Sequence, residues 1–358
     1  MAITANKGEW SELYVLFKLL GEKKIHAGDG NLNKLKEFYP VLCVIRDELE
    51  RHLEYSIDKN IVIVTEDGIE ITRINVADFL SQSKSMFSEI QKGTGAFSIP
   101  TIDDFLKKIH CKKVKAKSKD KADIHIIIHD YHTGMQPNLG FSIKSDAGSK
   151  PTLLNASVPT TFKYEIEGDS FNDEKMNEIN KIAGGRKIQD RVNAIVKFGA
   201  LLKYSGIHSL VFENNLRMID SMLPEIVATL MADCYFHRDM NILKAVERIN
   251  KSNPLKYNLD CGHDFYGYKI KSLMVCTALG MLPATPWTGK YEATGGYIVV
   301  KNDGNIICFH LYDRNMLEDY LFNNTKFETP TGERYNLGYV YKENGKYYFN
   351  LVLQIRFI

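Results

Sequence analysis

Apolar residues recur at helical spacing near the start of the chain, where Trp10, Leu13, Tyr14, Phe17 and Leu20 share one face, with Gly8 before them and Gly21 as a stop. The same periodicity predicts amphipathic helices over 41–57 and 76–90. Between these, Ile61-Val62-Ile63-Val64 is β-branched throughout and predicts a strand. Thr101 opens a short helix with Asp103 and Asp104 in its first turn. The texture then changes. Residues 111–121, CKKVKAKSKDK, hold six lysines and little apolar content, and read as a solvated basic segment. It runs into the β-branched stretch 123–129, a turn-rich stretch at 130–138 and a second apolar run at 139–144, together a predicted hairpin. A strand at 162–166 follows, then two helices, the second starting near Ile188 after Gly184-Gly185. From 206 to 281 a strand at 209–212 leads into long helical patterns. Beyond Pro283 and Pro286, strands are predicted at 296–300, 306–311, 337–341 and 347–357, with turns at Asp303-Gly304 and Asn344-Gly345 and one short helix at 316–322.

This alternation predicts an α/β (mixed α+β) fold. A mixed sheet flanked by helices would occupy 1–205, and a helical and β-rich elaboration for DNA binding or dimerisation would occupy 206–358. The apolar share of 44% is enough to give each helix a buried face. Lys and Arg exceed Asp and Glu by two, 46 against 44, so bulk charge does not mark a protein that coats nucleic acid, and any such contact must come from local patches. The six cysteines (43, 111, 234, 261, 276 and 308) form no CxxC pair, which argues against a zinc ribbon or a redox motif and for reduced thiols. With no apolar signal core in MAITANKGEW and no apolar run long enough for a bilayer, the expectation is a soluble cytoplasmic protein without a membrane partner.

Phosphodiester hydrolysis needs a divalent metal held by carboxylates, a nucleophilic water and a cation to stabilise the extra negative charge. Asp123 opens one strand of the predicted hairpin, and Ser142 and Lys144 sit two apart on the next, so they face one side of the sheet. His125 and His129 alternate onto the same strand face as Asp123. This frame resembles the PD-(D/E)xK nuclease pattern, with Asp123 as metal ligand and Lys144 as catalytic lysine. Ala122 replaces a common proline. Ser142 stands where the second carboxylate belongs, and a hydroxyl is a poor substitute for a charged metal ligand. Relatives of that fold often take the missing acid from the N-terminal helix, where Glu9 and Glu12 lie three apart and share a face. No acid occurs between Asp146 and Glu165 to serve instead.

The stretches NKGEWSELYVLFKLL, DIHIIIHDYHTG, GFSIKSDAGSKPTLLNAS and the terminal LQIRF resemble the HpaII family of type II restriction endonucleases, in family order along nearly the whole chain. The resemblance implies a restriction-endonuclease-like fold and Mg²⁺-dependent cleavage of double-stranded DNA at the palindrome CCGG. It also implies a companion methyltransferase and a bacterial host. Carried over residue by residue, it implies that Asp123 and Glu9 or Glu12 bind Mg²⁺, that Lys144 orients the attacking water, that Ser142 adds a supporting bond, and that Asn155 touches a phosphate or a metal-bound water. A palindromic site fits a homodimer.

Reading CCGG in the major groove calls for Arg or Lys on guanine and acids or amides on cytosine. Arg186, Lys187, Gln189, Asp190 and Arg191 supply those types at a helix start behind two glycines. Lys115 and Lys117 are phosphate-contact candidates, and Gln354 and Arg356 share a face of the last predicted strand. Trp287-Thr-Gly289 and His310 read as packing features. Two competing expectations keep weight. One is a structure-specific or repair nuclease of the same fold. The other is a non-catalytic sequence-specific DNA-binding protein, for which Ser142 is the best argument.

Overall fold

The computed structural model describes residues 3–48, 51–114, 122–148, 150–309, 313–330 and 336–358. In chain order the elements begin with β1 (Thr4–Asn6), α1 (Lys7–Glu22), β2 (Lys24–Gly28), β3 (Lys34–Glu48), β4 (Arg51–Asp58), β5 (Ile61–Glu66) and β6 (Ile69–Asn75). Next come α2 (Val76–Lys92), β7 (Ala96–Ser98), α3 (Asp103–Lys108), β8 (Ile124–Ile128), β9 (Asn138–Ser145), β10 (Thr152–Leu154) and β11 (Thr161–Glu167). A helical stretch follows with α4 (Asp173–Lys181), α5 (Lys187–Lys197), β12 (Leu201–Ile207), α6 (Leu210–Ile219), α7 (Leu223–His237), α8 (Ile242–Ser252) and α9 (Phe265–Leu279). The chain closes with β13 (Gly296–Val300), β14 (Ile306–Phe309), α10 (Arg314–Asn323), β15 (Thr325–Phe327), β16 (Val340–Glu343), β17 (Lys346–Val352) and β18 (Ile355–Phe357). Among the described residues no helix is long and apolar enough to cross a membrane.

Two compact units divide the chain. The first comprises Met1–Pro151, Ala278–Gly280 and Tyr291–Tyr320, and the second comprises Thr152–Thr277, Met281–Lys290 and Leu321–Ile358. The hydrophobic pattern suggests a boundary near 206, whereas packing puts the first crossing at Thr152. The reason is long-range pairing. β11 hydrogen-bonds to β17 from Thr161 opposite Val352 to Glu165 opposite Tyr348, which ties 161–167 to the C-terminal strands.

The first unit is a nine-stranded mixed sheet in the order β2-β14-β13-β9-β8-β3-β4-β5-β6, with a further β2–β3 pairing. α1 and α2 lie in its apolar core, where Trp10, Leu13, Tyr14, Phe17 and Leu20 are all buried as their spacing predicts. α1 starts with a reciprocal cap: Asn6 Oδ1 accepts from the Glu9 N–H, and the Glu9 carboxylate accepts from the Asn6 N–H. Gly21 does not stop the helix, which ends at Lys23 in the left-handed region (φ 58°). Its role is contact with α2, since a Cβ there would lie 2.9 Å from the Leu80 main chain.

The helix expected over 41–57 is corrected to the strand pair β3 and β4, with Cys43 opposite Ser56 and Ile45 opposite Glu54. Leu53 and Tyr55 are buried with alternation of period two, and a short apolar run does not by itself distinguish that period from a helical one. The strand expected at 209–212 is also corrected. Ser209 caps α6, its Oγ accepting from the Phe212 N–H, and the strand lies earlier as β12. The strand expected at 337–341 begins at Val340, and the run 347–357 breaks into β17 and β18, which belong to different sheets.

The second unit holds a four-stranded sheet, β12-β11-β17-β16, a three-stranded sheet, β10-β18-β15, and the helices from α4 to α9. All six cysteines are free thiols, five of them buried and Cys261 exposed.

A buried ion pair anchors residues 111–114. Arg46 and Glu48 are 4% and 1% exposed and meet at 2.7 Å, while Arg46 also donates to the carbonyls of Lys113 and Val114. The second Glu48 oxygen accepts from the Lys112 N–H, and the Cys111 thiol donates to the first. Burial pushes the Cys111 thiol up to about 12, so it stays a neutral donor. Glu48→Ala would leave a buried guanidinium without its counter-charge and should cost about 3–5 kcal/mol in urea unfolding. An unshifted unfolding midpoint would remove this pair as the anchor of residues 111–114.

Candidate active site

The first unit brings Asp123, Ser142 and Lys144 together by strand pairing. β8 and β9 are antiparallel with Ile124 opposite Phe141, and the Asp123 N–H extends the ladder to the Phe141 carbonyl at 2.8 Å. One step on, the Asp123 side chain takes over as acceptor. Its Oδ2 receives the Ile143 N–H at 2.7 Å and the Ser142 hydroxyl at 3.1 Å. Its Oδ1 accepts no hydrogen bond from the described residues, which leaves a carboxylate oxygen with open lone pairs. Along this strand, 123, 125, 127 and 129 are half-buried and the residues between them are buried, so His125 and His129 share the Asp123 face.

β9 is an interior strand, with β8 on one side and β13 parallel on the other. The register sets Tyr297 beside Ser142 and Val299 beside Lys144. Tyr297 is buried. Burial, reinforced by the nearby Asp123 charge, pushes its phenol far above the ordinary range, and it shares a hydrogen bond with Ser142. Asp123, Ser142 and Tyr297 therefore form a connected polar set in which the phenol stays neutral. Lys144 is half-buried, with Nζ 5.5 Å from the Tyr297 ring centroid, and it makes no ion pair with a described residue. Tyr297 was missed from sequence because its strand, GYIVV, gives no sign of which neighbour it will pair with.

α1 runs beside the end of β9. Ser11 Oγ bonds Ser145 Oγ at 2.8 Å, and Lys7 Nζ reaches the Ala147 carbonyl at 3.2 Å. Glu9 and Glu12 are both half-buried on that helix. Glu9 is engaged in the N-terminal cap through Oε2, 2.9 Å from the Asn6 nitrogen. Among the described residues no three His, Cys, Asp or Glu side chains group as a metal site. What the first unit offers a hard cation is the open Asp123 oxygen.

The remaining site candidates lie elsewhere. Asn155 is exposed just past β10, in the second unit. Arg186 is exposed at the start of α5, and Lys187 is half-buried with Nζ 5.6 Å from the Tyr339 ring centroid. Gln189 is half-buried, and Asp190 pairs with Arg238 at 2.7 Å. Arg191 departs from expectation. It is 2% exposed and donates to the carbonyls of Asn180, Ile182 and Gly338, with its guanidinium 4.1 Å from the Tyr339 ring centroid. A guanidinium so committed holds main chain and does not reach a base. Gln354 lies in the break between β17 and β18 and not on a strand, and Arg356 pairs with Glu328 at 3.0 Å. Lys115, Lys117 and His310 lie outside the described residues.

Arg191→Ala would orphan one buried and two part-buried carbonyls and should cost about 3 kcal/mol in thermal or urea unfolding. A base-reading arginine would leave stability unchanged when truncated.

The family model described as HpaII restriction endonuclease matches residues 6–357. The type II restriction enzyme HpaII of Haemophilus parainfluenzae is 42% identical over 359 residues, covering 99% of this chain and 99% of its own. No solved structure matches. A chain matched over nearly its whole length, with Asp123 and Lys144 set on paired strands, belongs to the HpaII family of type II restriction endonucleases, the site-specific deoxyribonucleases.

Proposed function

We propose that this restriction endonuclease cuts both strands of DNA at CCGG with Mg²⁺, using Asp123 with Glu9 or Glu12 as the metal ligands and Lys144 as the catalytic lysine. The observation that carries the reading is the split engagement of Asp123. One oxygen is fixed by Ser142 and Ile143 while the other is left open, beside a lysine with no carboxylate partner among the described residues. Mg²⁺ supplies Lewis-acid polarisation of the scissile phosphate and favours ionisation of water at neutral pH. The chain does the rest. Ser142 and Tyr297 are positioning residues that hold Asp123 in one rotamer. Lys144, near an aromatic face and partly shielded from solvent, steadies the negative charge that grows on the phosphate and orients the attacking water.

Arg186, Lys187, Gln189 and Asp190 remain the proposed contacts to DNA in the second unit, with Asn155 at a phosphate. A two-fold homodimer suits a palindromic site. A companion methyltransferase that protects host CCGG, and a cytoplasmic location in a bacterium, complete the proposal.

Cleavage of unmethylated plasmid in Mg²⁺ tests it. Discrete fragments ending at CCGG are expected, with a loss of roughly 10²-fold or more in Lys144→Ala and Asp123→Asn. Of Glu9→Gln and Glu12→Gln, the one that removes the metal ligand should match those losses while the other keeps most of the activity. A fully active Lys144→Ala enzyme would sink the site, and full activity in both Glu9→Gln and Glu12→Gln would remove α1 as the source of the second acid.

A further inference from the structure

The two tryptophans of the chain are used differently. Trp10 is fully buried, with its indole N–H on the Phe97 carbonyl at 3.0 Å. Trp287 is only half-buried, on a loop at 281–290 in which Ala284, Thr285, Pro286, Thr288, Gly289 and Lys290 are exposed.

That loop is nevertheless held rigidly. Asn215 on α6 is 2% exposed, and three of its hydrogen-bonding positions go to this one loop. Its Nδ2 donates to the Leu282 carbonyl at 3.1 Å and the Thr285 carbonyl at 2.9 Å, and its Oδ1 accepts the Trp287 N–H at 2.9 Å. The indole N–H then closes a turn onto the Lys290 carbonyl at 2.9 Å, across Gly289 at φ 81°. Pro283 and Pro286 restrict the backbone further. A buried amide is costly unless bonded, and here it is bonded to main chain that returns little apolar burial. Ordering an exposed segment in advance lowers the entropy cost of a later encounter, and that is the gain available to it.

The chemistry of the loop narrows the ligand. From Met281 to Tyr291 there is no acid, one lysine, two threonine hydroxyls and one indole. A lysine and a partly exposed indole on one ordered loop that itself carries no acid suit a polyanion that also carries flat rings and sugars. We infer that the 283–290 loop, set in place by Asn215, is a DNA-contacting element of this endonuclease, with Lys290 on a phosphate and Trp287 against sugar or base. The inference rests on duplex DNA being the substrate and not on CCGG being the site.

Tryptophan fluorescence tests it in the full chain, in EDTA, with a duplex containing CCGG and a scrambled duplex of equal length. DNA is expected to quench the wild type but not Trp287→Phe, which keeps Trp10. Lys290→Ala should weaken binding of both duplexes about three- to ten-fold and lower the slope of log affinity against log salt by about 0.9. Asn215→Ala should reduce the quench and speed hydrogen exchange at the Trp287 amide. Equal binding of both duplexes by the wild type would end the CCGG reading, while a loss of slope in Lys290→Ala would still support the loop. Quenching retained in Trp287→Phe, with affinity unchanged in Lys290→Ala, overturns the inference. So does a Lys290→Ala protein that binds both duplexes normally but loses self-association.

Discussion

The bond from the Ile143 N–H to the Asp123 carboxylate is the constraint on which the proposed catalytic frame depends. An interior strand must satisfy every main-chain donor, and here the donor next to Lys144 is satisfied by a side chain where β8 has not yet begun. That exchange fixes the carboxylate against β9 and leaves its other oxygen open. It also settles the register, so Ser142 arrives beside Asp123 and Lys144 two residues further on. Shifting the pairing by one residue would turn both away from Asp123 to the opposite face. The parallel partner β13 then adds Tyr297, which ties the serine into a connected set.

Charge in this protein is divided between holding the chain and meeting the substrate. Arg46 with Glu48 and Arg191 with three carbonyls are buried and fully engaged, so their charges contribute little to any surface field. With a formal net charge of +2, a polyanionic substrate must be met by local groups, and Lys144, Arg186 and Lys290 are the ones proposed for it. The acids follow the same division. Glu9 closes a helix cap, Glu48 neutralises a buried arginine, and Asp123 keeps one oxygen available.

Helix α1 joins these roles. Its apolar stripe was legible because helical spacing over a full helix is a strong signal, and all five predicted residues are buried. The hairpin of β8 and β9 was legible too, from β-branched runs around a turn. The failures came where the signal was short. Residues 41–57 looked helical because a few apolar positions fit either period, and only neighbouring strands on both edges of β3 selected the extended form. At 209–212 a helix cap was mistaken for a strand start. The cluster at the head of α5 was read as a set of base contacts, yet Arg191 turns inward because carbonyls at 180, 182 and the sequence-distant 338 supply acceptors.

By itself the sequence determined the mixed α/β character, the apolar face of α1, the strand pair bearing Asp123 and Lys144, and, through its quoted stretches, the family. These are local or cumulative properties, set by side-chain period or by many matched residues at once. Tertiary structure alone decided that Tyr297 lies beside Ser142, that Arg191 is structural and that Asn215 holds an exposed loop. Each of those depends on a donor meeting an acceptor contributed by another element. That pairing is fixed by packing and register, neither of which leaves a periodic mark in the chain.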